Sequence, residues 1–313
     1  GILALFAGHI DFGNARNGQA VSTMVQHAIP VTFRLVTMAT IVAMVLGITI
    51  GIVTALRQYS RFDYAMTFVS FLLYSLPVFW VAVLLKQFLA IRFNTFLAHP
   101  NVPPFWILFY SAISGVFWSG VISGSRKRVL QLFVSVTAAT AVLLEILSLS
   151  QWFADPGLGP IVLFGASLGA AFGITQISVG LNNKSALKAS IAMAVLGLLS
   201  YYPNQYIFKH SPHVMTLLGM LVLTLLIGAG VGRAFAKIDR GPIIRTAMIT
   251  GLVVALLTLL DKLMSTWAPY MATDAVNGRP VPTIGQANSL LDQTDFWMST
   301  LDTLMHLVLP TIA

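Results

Sequence analysis

Charged residues inside long apolar runs are the first candidates for chemistry in this sequence. Five of them lie within or at the edge of such runs: Arg34, Lys86, Glu145, Asp261 and Lys262. Ionisable groups within membrane spans usually mark proton relays or ion sites. Each of these lies near the end of its run, however, where a side chain can reach the membrane interface by snorkelling. Asp261 and Lys262 are adjacent and point in different directions on a helix, which disfavours an ion pair. The sequence therefore gives little support to a proton-coupled carrier.

The nucleophiles, bases and metal ligands of the sequence form no recognisable catalytic set. The chain contains no Cys, which excludes disulfides, thiolate ligands and Cys nucleophiles. It has no phosphate-binding loop, no nucleophile paired with a base and no carboxylates at catalytic spacing. His210 and His213 stand three residues apart in a polar link, but a metal site needs three or four convergent ligands. We therefore predict a solvated loop there, no bound metal and no enzymatic activity.

A neutral segment around Pro77 is a better candidate for function. Pro77 lacks a backbone N–H, so we expect a kink in its helix and a freed carbonyl. Aromatic residues surround it in the sequence YSLPVFW at 74–80. Such a segment can line a substrate pathway, while ordinary helix packing is the alternative. We predict that Pro77, Phe79 and Trp80 line the pathway.

The elements that must position these residues are membrane-spanning helices. The chain is 57% hydrophobic and only 9% charged, with a mean hydropathy of +0.84, which indicates an integral membrane protein. The runs at 31–56 and 64–91 exceed the roughly 20 residues that a span needs and predict a membrane hairpin. Six further runs follow at 105–123, 129–149, 159–180, 186–202, 214–236 and 246–267, and a ninth opens at Leu301. We predict an all-α polytopic bundle with about nine spans.

The basic residues predict the orientation of these spans. Eleven of the eighteen lie in alternate links that share one side, and that side is cytoplasmic because Lys and Arg beside spans are retained there. The link that contains Arg57, Arg61 and Asp63 is therefore cytoplasmic, and the first span runs inward. Topology also explains the net charge of +8, so we predict no nucleic-acid partner. The cytoplasmic basic residues are Arg57, Arg61, Arg126, Lys127, Arg128, Lys184, Lys188, Arg233, Lys237, Arg240 and Arg245.

Two sets of glycines have the spacing of helix-packing faces. Gly47 and Gly51 stand four apart in the first span, and Gly165, Gly169 and Gly173 form a stripe in the fifth. Small residues at this spacing let two membrane helices approach closely. The alternative is that glycine is simply common in membrane helices. We predict helix packing at these five glycines.

Five short segments resemble one protein family when taken in order. The segment GHIDFGN at 8–14 is similar to the family's Gly-Asp-Leu-Gly-Ser stretch, and IPVTFRL at 29–35 to its Pro-x-Thr-x-x-Leu. The segment GITIGIVTALR at 47–57 resembles its Gly-Ile-x-x-Gly-x-x-x-Ala-x-Arg, SLPVFW at 75–80 its Ser-x-Pro-x-Phe-Trp, and HLVLP at 306–310 its His-Leu-x-Leu-Pro. The family is the membrane-spanning permease subunit of bacterial dipeptide and oligopeptide ABC importers.

The resemblance divides the chain into three parts. Residues 1–94 resemble the N-terminal part of the permease domain, and 295–313 the start of its next core span. Between them, 95–294 holds an inserted six-span module and an outer loop, for which a passive scaffold is the default role. Six spans return the chain to the outer side, so the ninth can still run inward. We expect the family's ATPase-coupling loop to follow Ala313 and its first span to precede Gly1.

The resemblance implies a subunit that forms half of a peptide pathway in the bacterial cell membrane and works by alternating access. A second homologous permease would form the other half, an external binding protein would deliver the substrate, and two cytoplasmic ATPase subunits would bind the ATP. This chain would hold no cofactor of its own. The alternatives are an ATP-independent carrier, a polytopic enzyme acting on lipid-linked substrates, or a membrane scaffold.

Overall fold

The computed structural model describes residues 13–16, 18–122, 125–236, 240–285, 287–288, 290–291 and 294–313. Residues 8–12 of the first family-like segment, and Lys237, lie outside this part of the chain. Helices dominate the described residues: α1 Val21–Ala55, α2 Arg61–Ser75, α3 Val78–Leu85, a π-helical segment Lys86–Arg92, α4 Phe93–Ala98, α5 Pro104–Val121, α6 Arg126–Leu149, α7 Gly159–Ser178, α8 Lys184–Leu199, α9 Tyr201–His210, α10 Val214–Phe235, α11 Arg240–Ser265, α12 Trp267–Met271 and α13 Phe296–Ile312.

The predicted all-α membrane fold is confirmed, with fewer spanning helices than the apolar runs suggest. Among the described residues, seven helices are long and apolar enough to cross a membrane, or up to eight if a bent pair counts as one span. The run at 64–91 accounts for part of the difference, because its helix is interrupted and the spanning candidate there is Val78–Ala98. The run at 186–202 belongs to the bent pair, in which α8 and α9 meet at 51°.

Local sequence signals explain where several helices begin and end. Ser60 caps α2 by accepting a hydrogen bond from Asp63 N at 3.1 Å, and Asn183 caps α8 by accepting one from Ala186 N at 3.1 Å. Side-chain caps of this kind satisfy the free N–H groups of a first helical turn. At the end of α7, Gly180 takes a positive φ of 78° and donates to Thr175 O at 2.9 Å. This is the left-handed ending that glycine permits at low cost.

The chain forms two compact units. The first comprises Gly1–Ser148, Arg279–Ser289 and Asp302–Ala313, and the second comprises Leu149–Gly278 and Leu290–Leu301. Helix α5 and nearly all of α6 therefore belong to the first unit, although their sequence lies within the range predicted for the inserted module. The boundaries of that module stay a prediction.

In the first unit, the C-terminal end of α5 contacts the hairpin link. The Phe62 and Phe117 rings meet edge to face with centroids 6.0 Å apart, and the Arg57 guanidinium donates to Gly120 O at 3.3 Å. Thr140 of α6 donates to Ser114 of α5 at 3.2 Å. Buried hydrogen bonds between helices hold membrane bundles together where the hydrophobic effect cannot.

The second unit is a tightly packed bundle of α7, α8, α10 and α11. Its core consists of Ala186, Ala189, Met193, Ile243 and Ala247. Hydroxyl groups also join its helices: Thr175 of α7 and Thr250 of α11 both donate to Ser190 of α8, at 3.1 and 3.2 Å. These three side chains are fully buried, so the seam places polar bonds where water is excluded.

Candidate functional site

The helix predicted to kink at Pro77 is interrupted there. Leu76 and Pro77 both have extended backbones, with ψ angles of 132° and 131°. Helix α2 ends at Ser75, and α3 begins at Val78 with Pro77 as its N-cap residue. Proline supplies no N–H for the helical ladder, and it disfavours the helical conformation for the residue before it. The kink prediction is confirmed in its strongest form, a break between two helices.

Large aromatic side chains around the break are exposed on the surface of the chain. Tyr74 is 91% exposed, Phe79 72% and Trp80 48%. Contiguous exposed aromatic surface is typical of an interaction site or a membrane-facing surface. The pathway role of Pro77, Phe79 and Trp80 stays a prediction, and the exposure leaves their rings free to contact a substrate.

An open cavity of about 490 Å³ lies between α1 and α2, and its lining residues on α2 precede this break in the chain. Its volume falls within the range of small-molecule pockets. Tyr74 belongs both to the cavity wall and to the segment around Pro77, so the break and the cavity form one candidate site. The lining residues are Ile50, Thr54, Met66, Thr67, Ser70, Phe71 and Tyr74.

The cavity lining is neutral and carries hydroxyl groups. Thr54 Oγ1 donates to Ile50 O at 2.9 Å, and Ser70 Oγ donates to Met66 O at 2.8 Å. A hydroxyl that donates its hydrogen to its own helix still offers its lone pairs as acceptors. The lining residues include no charged side chain. The cavity is therefore suited to neutral hydrogen-bond donors such as amide N–H groups.

The link between α1 and α2 is built from reciprocal hydrogen bonds. The Tyr59 N–H donates to Asp63 Oδ2 at 3.0 Å, while Ser60 Oγ accepts from Asp63 N. Tyr59 itself has a positive φ of 61°, which reverses the chain. Arg61 is the first residue of α2, and Arg57 reaches Gly120 O. The predicted cytoplasmic position of Arg57, Arg61 and Asp63 stays a prediction.

The five glycines predicted to pack helices lie beside open space within this chain. A Cβ added at Gly47, Gly51, Gly165, Gly169 or Gly173 would meet no described atom within 4 Å. Among the described residues no packing partner lies at these positions, so that prediction stays a prediction.

Close approach within the chain occurs at other glycines. On α10, a Cβ at Gly228 would lie 2.9 Å from Met248 Cα, and one at Gly232 would lie 2.6 Å from Ile244 Cα. Both partners are backbone atoms of α11, so neither can move aside cheaply.

The expectation that Asp261 snorkels to the interface is wrong. Its side chain is buried, and four donors take the place of water. Oδ1 accepts from the backbone N–H groups of Leu158 at 2.8 Å and Gly159 at 2.9 Å. Oδ2 accepts from Tyr201 Oη at 2.9 Å and from Gln205 Nε2 at 3.1 Å. The adjacent Lys262 points elsewhere, with its ammonium 5.9 Å from the centre of the Trp297 ring.

A second buried carboxylate, Asp302, escaped the sequence reasoning. It is 1% exposed, and its Oδ2 accepts a hydrogen bond from Asn288 N at 2.9 Å. One turn later, His306 Nδ1 lies 3.5 Å from the same oxygen and donates to Asp302 O at 2.8 Å. The i, i+4 spacing of Asp and His was the available signal, because such residues share a helix face.

Parts of this chain are similar to permease proteins of bacterial peptide transport systems. It is 35% identical over 88 residues to the oligopeptide transport system permease protein AppB of Bacillus subtilis, a stretch that covers 28% of each chain. It is 31% identical over 108 residues to the dipeptide transport system permease protein DppB of the same organism, covering 34% of this chain and 35% of the relative. It is also 32% identical over 81 residues to the putrescine export system permease protein SapB of Escherichia coli, covering 26% and 25%.

The matched stretches span about a quarter to a third of the length of these relatives. No family model matches the chain, and no solved structure matches it. Together with the seven candidate spans among the described residues, the similarity identifies a multi-pass membrane protein that is related to transport permeases.

Proposed function

We propose that this chain belongs to a permease subunit that forms half of the pathway of an ATP-driven peptide importer in a bacterial cell membrane. The observation that carries the proposal is its similarity, at 31 to 40% identity, to permease proteins of oligopeptide and dipeptide transport systems. The cavity beside the Pro77 break also supports the proposal, because its neutral lining carries hydroxyl groups that can accept hydrogen bonds from a peptide.

The site chemistry suits a peptide backbone. A peptide presents amide N–H groups whatever its sequence, and each needs an acceptor once water is removed. The back-bonded hydroxyls of Thr54 and Ser70 offer such acceptors without a formal charge. A neutral lining also avoids the large cost of burying an unpaired charge in the membrane. The aromatic rings beside the break then contact side chains of varied type without specifying one.

The proposed cycle requires partners outside this chain. A second homologous permease completes the pathway, and an external binding protein delivers the peptide. Two cytoplasmic ATPase subunits bind ATP, and their closure rocks the two permeases between outward-open and inward-open states. The hydrogen-bonded link between α1 and α2 keeps that hairpin rigid as it moves.

The test is peptide uptake by cells that carry the full-length gene, its partner genes and no other peptide importer. We expect Trp80→Ala to lower uptake of a labelled dipeptide severalfold at unchanged membrane level. Trp118→Ala is the matched control, because Trp118 is 47% exposed against 48% for Trp80 but belongs to α5 rather than to the segment around Pro77. Equal uptake by both variants would remove Trp80 from the pathway.

Energy coupling separates the importer from an ATP-independent carrier. Inactivating the partner ATPase abolishes uptake if the subunit belongs to an ATP-driven importer, and leaves it intact if the chain is a carrier. If the chain is a scaffold, its deletion does not change uptake, whether the partner ATPase is active or inactivated.

A second candidate is a permease for amine export, which the similarity to a putrescine export permease favours. Efflux of labelled putrescine from preloaded cells decides between the two. Efflux that requires this gene, without peptide uptake, would favour export.

A further inference from the structure

The second unit contains a separate small cavity of about 140 Å³ at the bend between α8 and α9. Helices α8 to α11 all contribute to its wall. We propose that this cavity is a binding site for a short primary alkylammonium ion. The residues that carry the argument are Gly197, Ser200, Asn204, Thr224, Gly251 and Thr258.

The bend provides the space for the cavity. Helix α8 ends at Leu199 and α9 begins at Tyr201, with Ser200 between them and a change of direction of 51°. Interrupted helices at membrane depth are tolerated where the irregular backbone is buried in protein or lines a cavity. Gly251 on α11 lets the helices approach closely at this cavity, because a Cβ there would lie 2.7 Å from Met193 Cε and 3.3 Å from Thr224 Cγ2.

The polar groups of the lining have donated their hydrogens elsewhere. Ser200 Oγ donates to Gly197 O at 3.2 Å, Thr224 Oγ1 to Met220 O at 2.8 Å and Thr258 Oγ1 to Val254 O at 2.9 Å. Asn204 Nδ2 donates to Ser200 Oγ at 3.3 Å. What these groups still offer is mainly the lone pairs of their oxygens, including Asn204 Oδ1, beside one remaining N–H of Asn204 Nδ2. A lining in which acceptors outnumber donors favours a guest that donates, and an ammonium group has three N–H donors and no acceptor.

The surrounding charge also favours a cation. Asp261 follows Thr258 by three residues on α11, and its Oδ2 accepts from Tyr201 and Gln205, which stand on α9 beside Ser200 and Asn204. The four hydrogen-bond donors to the Asp261 carboxylate are all neutral groups, so these bonds bring no opposite charge to it. In a medium of low dielectric such a charge attracts a nearby cation over several ångströms.

The volume of the cavity and its apolar wall residues define the alkyl part of the ligand. An apolar cavity of about 150 Å³ accommodates benzene, so the space here suits a small molecule. Met193, Leu196, Ile227 and Val254 supply apolar wall, which suits a short alkyl chain. A butylammonium ion combines that chain with the three donors that the oxygens can accept.

The test is ligand-induced stabilisation of the purified full-length protein in lipid nanodiscs. We expect n-butylammonium chloride to raise the unfolding temperature in a saturable way, whereas n-butanol and NaCl at equal concentration do not. Stabilisation by butanol as well would show an apolar cavity without ammonium recognition, and stabilisation by NaCl would show a site for a simple ion. Either result, or no saturable effect of butylammonium, overturns the proposal.

Substitution then locates the site. Thr258→Val keeps the shape of the side chain and removes its acceptor, and we expect it to weaken butylammonium binding about tenfold, as for a lost hydrogen bond to a charged group. Thr49→Val is the matched control, because Thr49 of α1 also donates to its own helix, to Val45 O at 2.6 Å, but lies in the first unit. Equal affinity in the two variants would place the ammonium elsewhere. Peptide uptake plays no part in these measurements, so this site stands or falls separately from the proposed transport function.

Discussion

The Tyr201 hydroxyl donates a 2.9 Å hydrogen bond to Asp261 Oδ2 and so ties the first residue of α9 to the C-terminal half of α11. The same carboxylate accepts from two backbone N–H groups at the start of α7. One side chain therefore joins three helices of the second unit.

Replacing this carboxylate should destabilise the second unit. Asp261→Ala removes the shared acceptor of four half-buried donors, and each costs up to the roughly 1 to 3 kcal/mol of an unsatisfied buried group. We expect a clearly lower unfolding temperature in nanodiscs. Asp155→Asn is the control, because Asp155 is exposed and should leave the unfolding temperature unchanged. Equal unfolding temperatures would show that the four hydrogen bonds contribute no net stability.

The break at Pro77 should matter for transport more than for stability. Pro77→Ala restores the missing N–H and removes the steric restriction on Leu76, which favours a continuous helix from α2 into α3. We expect peptide uptake to fall severalfold while the protein still reaches the membrane. Pro203→Ala in α9 serves as the control for removal of a proline. Normal uptake by the Pro77 variant would mean that the pathway does not need the break.

The hydroxyl groups of the cavity between α1 and α2 should contribute to substrate binding through their acceptor oxygens. Thr54→Val combined with Ser70→Ala removes two acceptors at nearly constant shape, and a neutral hydrogen bond is worth about 1 kcal/mol. We expect the apparent affinity for a dipeptide to fall about thirtyfold for the double variant, measured as the concentration that gives half-maximal uptake. An unchanged half-maximal concentration would remove these hydroxyls from substrate binding.

The two classes of glycine should respond differently to a larger side chain. Gly232→Leu forces a side chain against the α11 backbone and should lower the unfolding temperature of the chain by itself. Gly169→Leu meets open space and should leave that temperature unchanged. If Gly169 packs against another subunit, its variant instead loses co-purification with the partner permease. Intact assembly of the Gly169 variant would contradict the predicted packing role.

Local signals in the sequence predicted most of the helical architecture. The apolar run at 129–149 became α6 Arg126–Leu149, and the run at 214–236 became α10 Val214–Phe235. Both agree closely because hydropathy and helix length depend on consecutive residues. The break at Pro77 was also predictable, since proline acts on its own turn.

Features that depend on distant residues could not be predicted in the same way. The partners of Asp261 include Leu158, which is 103 residues away, so no local spacing revealed that the carboxylate is satisfied in the interior. The bend at Ser200 is an exception, because Pro203 has no N–H for the carbonyl of Leu199 and is a local signal for a bend. The cavity beside it arises from four helices that meet only in the folded unit. The lining of a site is therefore harder to predict than the helices that carry it.

The interruption at Leu76 and Pro77 has an electrostatic consequence. Helix α2 ends there with carbonyl groups that carry partial negative charge, and α3 begins there with N–H groups that carry partial positive charge. A few consecutive residues thus present both signs without any ionised side chain. A continuous helix through these residues would expose neither set of free backbone groups at this point.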